Sequence, residues 1–437
     1  MMDPRQRARL REFFNQLVDR PLEPDDPFYE PFVAAMSDGD PIEILATRIS
    51  WSEAASVHLL SGQRGSGKST ELRRLRQTLH NGGCEVFLCD MRDYMNLTTP
   101  VEITDFLISI MGALNDALRE QYATELTHQS YWERLIHFLH TDVEIKDLKI
   151  EGNIGAGKVG IGASLKDDPS FKQRLQEHLR GHVARLVRQA HEFATEVVTL
   201  IRKSHANPHK KVVLLIDSVE QIRGVGEEAD RVHKSVENLF SGHAESLHFP
   251  LLHVIYTIPP YLTPLTPGLG RLLGGGTVCN LPSVHIRQRD GTPDQVGLTV
   301  MSHIMERRYK TWQEIFTTAQ LDRMALMTGG DLRDFFRFAK DCLTRAASLP
   351  EAQLPLPEKV LQDAENHLRR DLLPIAAQDA DWLRKIAASK NPELESIAEL
   401  PRLARFFDTH LVLNYRNAED WYDVHPLLRS AIGDTTP

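Results

Sequence analysis

Short apolar runs alternate with longer stretches of helical spacing along the first two thirds of the chain. Five runs have the length and β-branched content of buried strands and fall at residues 57–60, 84–90, 211–217, 251–257 and 277–281. Strands that alternate with helical stretches are typical of a parallel α/β sheet, in which buried strands are almost wholly apolar. We therefore predict an α/β fold with a parallel sheet, in which the fifth run lies beside the first.

The connection between the second and third runs, about residues 98–210, is far longer than a simple crossover needs. In its second half, apolar residues recur in steps of three and four, at Leu175, Leu179, Val183, Leu186, Ala190, Phe193, Val197 and Ile201. This spacing predicts one long amphipathic helix, which either packs on the core or forms an arm for a partner.

Residues 143–166, in the first half of this insertion, alternate like a hairpin with a glycine-rich turn. They contain Gly155-Ala-Gly157-Lys158, which is similar to a phosphate-binding loop. Val159 occupies the place of the hydroxyl residue that Mg²⁺ needs, and no helix follows, so we exclude a second such loop here.

The most informative motif follows the first predicted strand, where residues 62–70 have the sequence GQRGSGKST. A strand, then this loop, then a helix is the Walker A arrangement of a P-loop NTPase. Glycines let backbone N–H groups turn inward around phosphate oxygens, and the helix N-terminus adds positive charge. We expect Lys68 to reach the β- and γ-phosphates and Ser69 to hold Mg²⁺. The predicted nucleotide-binding residues are Gly62, Gln63, Arg64, Gly65, Ser66, Gly67, Lys68, Ser69 and Thr70.

Two later strands end in polar residues of the kind that complete such a site. The third ends at Asp217, which fits a Walker B aspartate that accepts a hydrogen bond from Mg²⁺-bound water. Glu220 is the candidate for polarising the attacking water, with the start of a helix as its alternative role. Thr257, at the end of the fourth strand, is either a γ-phosphate sensor or simply a β-forming residue.

Beyond Asp294 the pattern becomes helical, and Arg333 falls in the first turn of a helix capped by Asp331 or Thr328. This part resembles the helical lid of AAA+ type ATPases, which carries an arginine turned toward the γ-phosphate. The alternative for Arg333 is a solvated surface charge.

The last eighty or so residues predict helices followed by a hairpin, with strands at 411–415 and 421–424, which suggests a winged helix. Winged helices often bind DNA. Residues 351–437, however, contain 10 Lys and Arg against 15 Asp and Glu, a net charge of −5. Since phosphate binding relies on clustered basic side chains, a DNA role for this segment is not indicated.

The chain after the hairpin, Val424-His425-Pro426, resembles the STAND branch of AAA+-related P-loop ATPases, which includes the NLR-type immune receptors. The resemblance extends from the P-loop strand to His425. It implies that His425 contacts the β-phosphate of ADP and holds a closed state. Thr257-Ile-Pro259 lacks the arginine usual in that branch, and Ser218 separates Asp217 from the second acid, an offset closer to NACHT-like members. Both departures lead us to expect slow hydrolysis.

Composition adds further bounds. The 437 residues carry a net charge of −9, so the chain as a whole has no basic field for nucleic acid or anionic membranes. The four cysteines lack metal-ligand spacing, and no apolar stretch approaches a membrane span, so we expect a cytoplasmic protein without disulfides. We predict an N-terminal helical segment at 1–50, an ATPase core at 51–290, a helical lid at 291–350 and a winged-helix-like domain at 351–437.

These observations favour an ATP/ADP-dependent molecular switch. We expect it to form a homo-oligomer, to act with a separate effector or sensor protein, or to do both. The resemblance implies a bacterial conflict or signalling role, such as anti-phage defence. One alternative is a nucleic-acid loader or remodeller similar to replication-initiator AAA+ proteins, which also end in winged helices. Another is a scaffold that binds ATP structurally and barely hydrolyses it.

Overall fold

The computed structural model describes residues 4–35, 39–122, 131–141, 161–224, 226–266, 268–274, 278–349, 353–392, 394, 396–417 and 419–433. Within these ranges the strands are β1 Ser56–Ser61, β2 Glu85–Asp90, β3 Val212–Asp217, β4 Leu252–Ile258, β5 Cys279–Asn280, β6 Val412–Asn417 and β7 Glu419–Val424. The first twelve helices are α1 Pro4–Gln16, α2 Pro41–Trp51, α3 Lys68–Asn81, α4 Ile103–Tyr122, α5 Tyr131–Thr141, α6 Ile161–Asp167, α7 Pro169–Leu179, α8 Val183–Ser204, α9 Ala229–Gly242, α10 Leu262–Leu265, α11 Leu269–Leu272 and α12 Gln295–Arg308. The remaining helices are α13 Thr318–Met327, α14 Leu332–Ala347, α15 Glu358–Asp371, α16 Ala377–Ser389 and α17 Leu400–Asp408.

The main sheet has five strands in the order β2-β3-β4-β1-β5. The pairs β1–β4, β2–β3 and β3–β4 are parallel. All five predicted strands are therefore confirmed, the fifth lies beside the first, and the fold is α/β. Residues 212–216 of β3 are fully buried, as expected of a central parallel strand.

The chain divides into two compact units. One comprises residues 42–61 and 72–279 and contains β1 to β4. Its core includes Phe106 of α4, whose ring centroid lies 5.9 Å from that of Tyr256 on β4 and 6.1 Å from that of Phe240 on α9. Tyr256 satisfies its buried hydroxyl by donating to the main-chain oxygen of Leu247 at 2.9 Å.

The insertion differs from its prediction in two ways. The long helix is interrupted by a 3-10 turn, Arg180–His182, between α7 and α8. Glycine is a weak helix former, and Gly181 at the centre of this turn is the local reason for the break. The predicted hairpin at 143–166 falls largely outside the described residues. Its last part is wrong, because residues 161–166 belong to α6. The expectation that no helix follows Lys158 is therefore wrong too, and the exclusion of a second phosphate-binding loop rests on Val159 alone.

The other unit comprises residues 1–41, 62–71 and 280–437, so it includes the GQRGSGKST loop. Helix α1 packs on α14, and the Phe13 ring stacks on that of Tyr309 at 4.5 Å. The predicted C-terminal hairpin is present: β6 and β7 are antiparallel, and the rings of Tyr415 and Trp421 stack at 4.5 Å. None of the helices in the described part of the chain combines the length and apolar character needed to cross a membrane.

Candidate nucleotide-binding site

The loop between β1 and α3 has the backbone that a phosphate cradle requires. Gly65 and Gly67 have φ angles of +86° and +85°, a region that residues with a Cβ rarely adopt. Helix α3 begins at Lys68, and the main-chain N–H groups of Thr70 and Glu71 both donate to the oxygen of Gly67, at 2.9 and 3.0 Å. The predicted strand–loop–helix arrangement is confirmed.

Gly62, the first residue of the motif, is fixed by close packing. A Cβ at this position would lie 2.4 Å from the main-chain oxygen of Leu281 and 3.2 Å from Cδ of Lys68. Its φ is not positive, so the need for glycine here comes from the approach of Leu281. Leu281 directly follows β5, and its position beside the loop cannot be deduced from the sequence of the motif.

Lys68 lies inside the loop, 3% exposed. Its Nζ donates to the main-chain oxygen of Gly62 at 2.8 Å and to that of Gln63. An ammonium group has three hydrogens, so if Lys68 bound oxygens of both the β- and the γ-phosphate, only one hydrogen would remain for these two carbonyls. The residue predicted to reach the β- and γ-phosphates thus already contacts the first two residues of its own loop.

The segment after α1 lies against the start of α3, a contact the sequence did not reveal. The main-chain N–H of Leu22 donates to Oγ1 of Thr70 at 3.1 Å, and the Tyr29 hydroxyl donates to Oε1 of Glu71 at 3.1 Å. The ring of Phe32 is 3.6 Å from where a Cβ of Gly67 would be. The aromatic and proline residues at 27–32 are the one sequence feature that could have indicated that this segment packs against the protein.

The N-terminus of α14 also lies against the loop. A Cβ on Gly65 would be 3.0 Å from Cβ of Arg333 and 3.3 Å from Oδ1 of Asp331. Of the two caps predicted, Asp331 is the observed one, since its Oδ1 accepts from the N–H of Asp334 at 3.0 Å. The Arg333 side chain is 37% exposed and its Nε donates to Oδ2 of Asp19 at 2.8 Å. The γ-phosphate role of Arg333 stays a prediction.

Two histidines of the C-terminal segment face the two aspartates of this helix start. Nδ1 of His410 is 3.1 Å from Oδ2 of Asp331, and Nε2 of His425 is 3.5 Å from Oδ2 of Asp334. His425 is fully buried, and its Nδ1 accepts from the N–H of Leu427 at 3.2 Å. The structure therefore places His425 between a turn of its own segment and α14, and its phosphate role stays a prediction.

Burial and charge act in opposite directions on the pKa values of this cluster. Burial lowers the pKa of His410, but the carboxylates of Asp331 and Asp334 outweigh it, so that pKa is raised overall. Burial alone would raise the pKa of Asp334, but its contact with His425 holds that pKa far below the usual range. The pairs therefore favour a charged imidazole beside Asp331 and an ionised Asp334.

The loop also bonds to the hairpin. The side-chain amide of Gln63 donates through Nε2 to the main-chain oxygen of Val412 and accepts through Oε1 from the N–H of Asn414 at 3.3 Å. Gln63 is 1% exposed. Its backbone belongs to the predicted cradle, while its side chain follows the edge of β6. Nothing in the local motif signals this contact, which joins residues about 350 positions apart in the chain.

The ends of β3 and β4 hold the remaining candidates. Asp217 is 2% exposed, and its Oδ1 accepts from the N–H of Ser218 at 2.7 Å. Ser218 has a φ of +70°, which turns the chain into a short 3-10 helix containing Glu220, itself 4% exposed. The N–H of Val219 donates to Oγ1 of Thr257 at 3.1 Å. Thr257 therefore stabilises the loop that carries Glu220, and both catalytic roles stay predictions.

A further acid lies beside Asp217. Asp90, the last residue of β2, is its partner in the sheet register. Burial raises the pKa of Asp90, but hydrogen bonds from Arg92 and Ser218 outweigh this and lower it overall. Two carboxylates thus end adjacent parallel strands, with Arg92 bonded to one of them.

Comparison with known proteins gives structural similarity only. No family model matches the sequence, and no curated protein matches it. A Walker-type ATPase of Pyrococcus abyssi has a TM-score of 0.42 at 12% identity, over 96% of this chain and 99% of that chain. The Aeropyrum pernix ORC2 protein in its ADP form gives 0.41 at 11% identity, over 97% and 95% of the two chains. Drosophila ORC bound to DNA gives 0.40 at 12%, over 97% and 91%. A functional assignment therefore rests on the geometry of the chain itself.

Proposed function

We propose that this chain binds ATP with Mg²⁺, hydrolyses it slowly, and uses its nucleotide state to control conformation and assembly with a partner. The observation that carries the proposal is the 62–70 loop: two glycines at positive φ, a buried lysine and a hydroxyl residue, placed between a parallel strand and a helix N-terminus. These residues fit a nucleotide with its metal ion, because each donor type matches a phosphate or Mg²⁺ requirement.

Within this proposal, Lys68 binds the β- and γ-phosphates, and the loop N–H groups from Gly65 onward orient them. Ser69 and Asp217 would hold Mg²⁺, which when bound supplies positive charge beside the phosphates. Glu220 accepts a hydrogen bond from the attacking water, and Thr257 holds the Glu220 loop. Arg333 responds to the γ-phosphate from the start of α14.

The control of conformation is assigned to the C-terminal segment. The hairpin contacts the loop through Gln63, and His410, just before the hairpin, contacts the start of α14, so a change at the phosphates would reach both contacts. His425 favours ADP in the closed form, as the STAND resemblance implies. A separate effector or sensor, further copies of this chain, or both would receive the change; the setting in anti-phage defence or signalling rests on the resemblance.

The test is turnover of ATP by the full chain with Mg²⁺, alone and with duplex DNA or RNA, while particle size is followed by light scattering. We expect slow turnover that nucleic acid leaves unchanged, and a particle size that differs between ADP and a non-hydrolysable ATP analogue. Turnover stimulated more than about tenfold by DNA would favour the loader alternative. ATP binding without turnover or change of size would favour the scaffold alternative, and absence of ATP binding would contradict all three.

A further inference from the structure

We propose that the Gln63 side chain is the link through which the phosphate-binding loop sets the position of the C-terminal hairpin. This inference rests on the proposed function and specifies how that function is regulated. Gln63 is a positioning residue in this scheme: its side chain acts on the hairpin and not on the nucleotide.

The Gln63 side chain contacts one edge of β6 at two points. Val412 and Asn414 are separated by one residue on β6. The Gln63 amide donates to the main-chain oxygen of Val412 and accepts from the N–H of Asn414. The opposite edge of β6 faces β7, where the N–H of His425 donates to the oxygen of Leu411 at 2.9 Å. Gln63 thus pairs with the outer edge of the hairpin as a short strand would, and satisfies two main-chain groups that would otherwise be buried without partners.

The main chain of Gln63 contacts the lysine of the phosphate-binding loop. Its main-chain oxygen accepts from Nζ of Lys68 and from the N–H of Ser66, the latter at 3.3 Å. If Lys68 binds oxygens of both the β- and the γ-phosphate, two of its three hydrogens are used, and the carbonyls of Gly62 and Gln63 compete for the third. One residue therefore receives the phosphate-dependent change at its backbone and holds the hairpin with its side chain.

The hairpin has a second fixed contact, with the segment before α14. The Tyr415 hydroxyl donates to the main-chain oxygen of Gly329 at 2.8 Å, just before α14. A Cβ on Gly329 would lie 2.2 Å from Cδ1 of Leu413, so the two segments are closely packed. A shift at Gln63 therefore moves β6 relative to its contact with Gly329. A ligand that changes the Gln63 contact then favours one position of the hairpin over another.

Hydrogen–deuterium exchange of the 411–417 segment tests the proposal on the full chain. It is measured without nucleotide and with Mg²⁺-ADP or a non-hydrolysable ATP analogue, each at a concentration that calorimetry shows to saturate the variant used. In the wild type we expect the exchange rate of the Asn414 amide to differ at least threefold between nucleotide states. Gln63→Ala should exchange faster and lose this difference, and Gln63→Glu should exchange faster still, because a carboxylate oxygen would face the oxygen of Val412.

Asn280→Ala is the matched control. The Asn280 side chain donates to Oδ1 of Asn414 and Oδ1 of Asp420, both at 3.0 Å, so it holds the same hairpin without belonging to the loop. In Asn280→Ala the exchange rate of the Asn414 amide should still differ between nucleotide states. A full difference in Gln63→Ala would overturn the inference, and so would a wild type that binds nucleotide with no change at Asn414. If Gln63→Ala does not fold, Gln63→Glu takes its place, and a full nucleotide-dependent difference in that variant overturns the inference. No nucleotide binding at all overturns the proposed function and this inference together.

Discussion

Nδ1 of His410, two residues before β6, lies 3.1 Å from Oδ2 of Asp331, the N-cap of the helix that carries Arg333. Asp331 uses its other oxygen to cap α14, so both of its carboxylate oxygens are engaged. His410 lies two residues after the end of α17 and has a φ of +60°, a backbone conformation that residues other than glycine adopt infrequently. Helix α14 and the segment that leads into the hairpin are therefore connected through this pair.

This pair predicts a pH dependence of stability. Burial lowers the folded-state pKa of His410, but the carboxylates of Asp331 and Asp334 together outweigh it, so this pKa is raised overall. The stabilisation is then fully present below the unfolded value of about 6.5 and is lost as the pH rises through the folded pKa. His410→Asn, which tolerates the positive φ, should lower Tm more at pH 6 than at pH 9. His209→Asn, at an exposed histidine, is the control. An equal loss of Tm at both pH values in His410→Asn would contradict the pairing of His410 with Asp331.

Gly62→Ala should disrupt the loop. Its new Cβ would lie 2.4 Å from the oxygen of Leu281, which is main chain and cannot rotate away. We expect a loss of ATP affinity of at least tenfold together with a lower Tm, measured by calorimetry and thermal unfolding. Gly181→Ala is the control, because no atom lies within 4 Å of its added Cβ. It should be neutral or stabilise by about 0.5–1 kcal/mol. An unchanged ATP affinity in Gly62→Ala would show that the packing around Leu281 does not govern binding.

The loop was predictable because its chemistry is local: residues 62–70 carry the strand end, the glycines and the helix start in one stretch. The strands were predictable for the same reason, since each is a nearly continuous apolar run. The contact of Gln63 with Val412 was not, because it depends on how distant segments pack. The break at Gly181 was missed because apolar spacing continues on both sides of it, and periodicity alone does not report a turn of 3-10 helix.

Glu220→Gln should leave nucleotide binding intact and slow hydrolysis, because only the acceptor for the attacking water is removed. General-base contributions are typically ~10²–10⁴-fold, and the turnover number should fall within that range. Glu228→Gln, on the exposed surface of the same segment, is the control. If the turnover number of Glu220→Gln equals that of the wild type, the base is another group, and Asp90 is the next residue to replace.

His425→Ala should weaken ADP binding more than ATP binding, because the STAND-like closed state would use this imidazole on the β-phosphate. Removal of one charge-assisted hydrogen bond costs about 1.5–3 kcal/mol, which sets the expected change in the ADP/ATP affinity ratio. Asp334→Asn is the companion variant, since it removes the carboxylate that faces Nε2 while keeping the histidine. If the ratio and the particle size of His425→Ala match the wild type, His425 has a structural role only.

The measurement that tests the central claim most directly is isothermal titration of Mg²⁺-ATP into the wild type and Lys68→Ala. Lys68 is the buried cation of the loop, and its loss removes the charge matched to the β- and γ-phosphates. We predict tight binding by the wild type and by the surface control Lys359→Ala, with at least a tenfold loss in Lys68→Ala. An affinity of Lys68→Ala within about threefold of wild type, a difference of less than about 0.7 kcal/mol, would contradict the assignment of residues 62–70 as the nucleotide-binding loop.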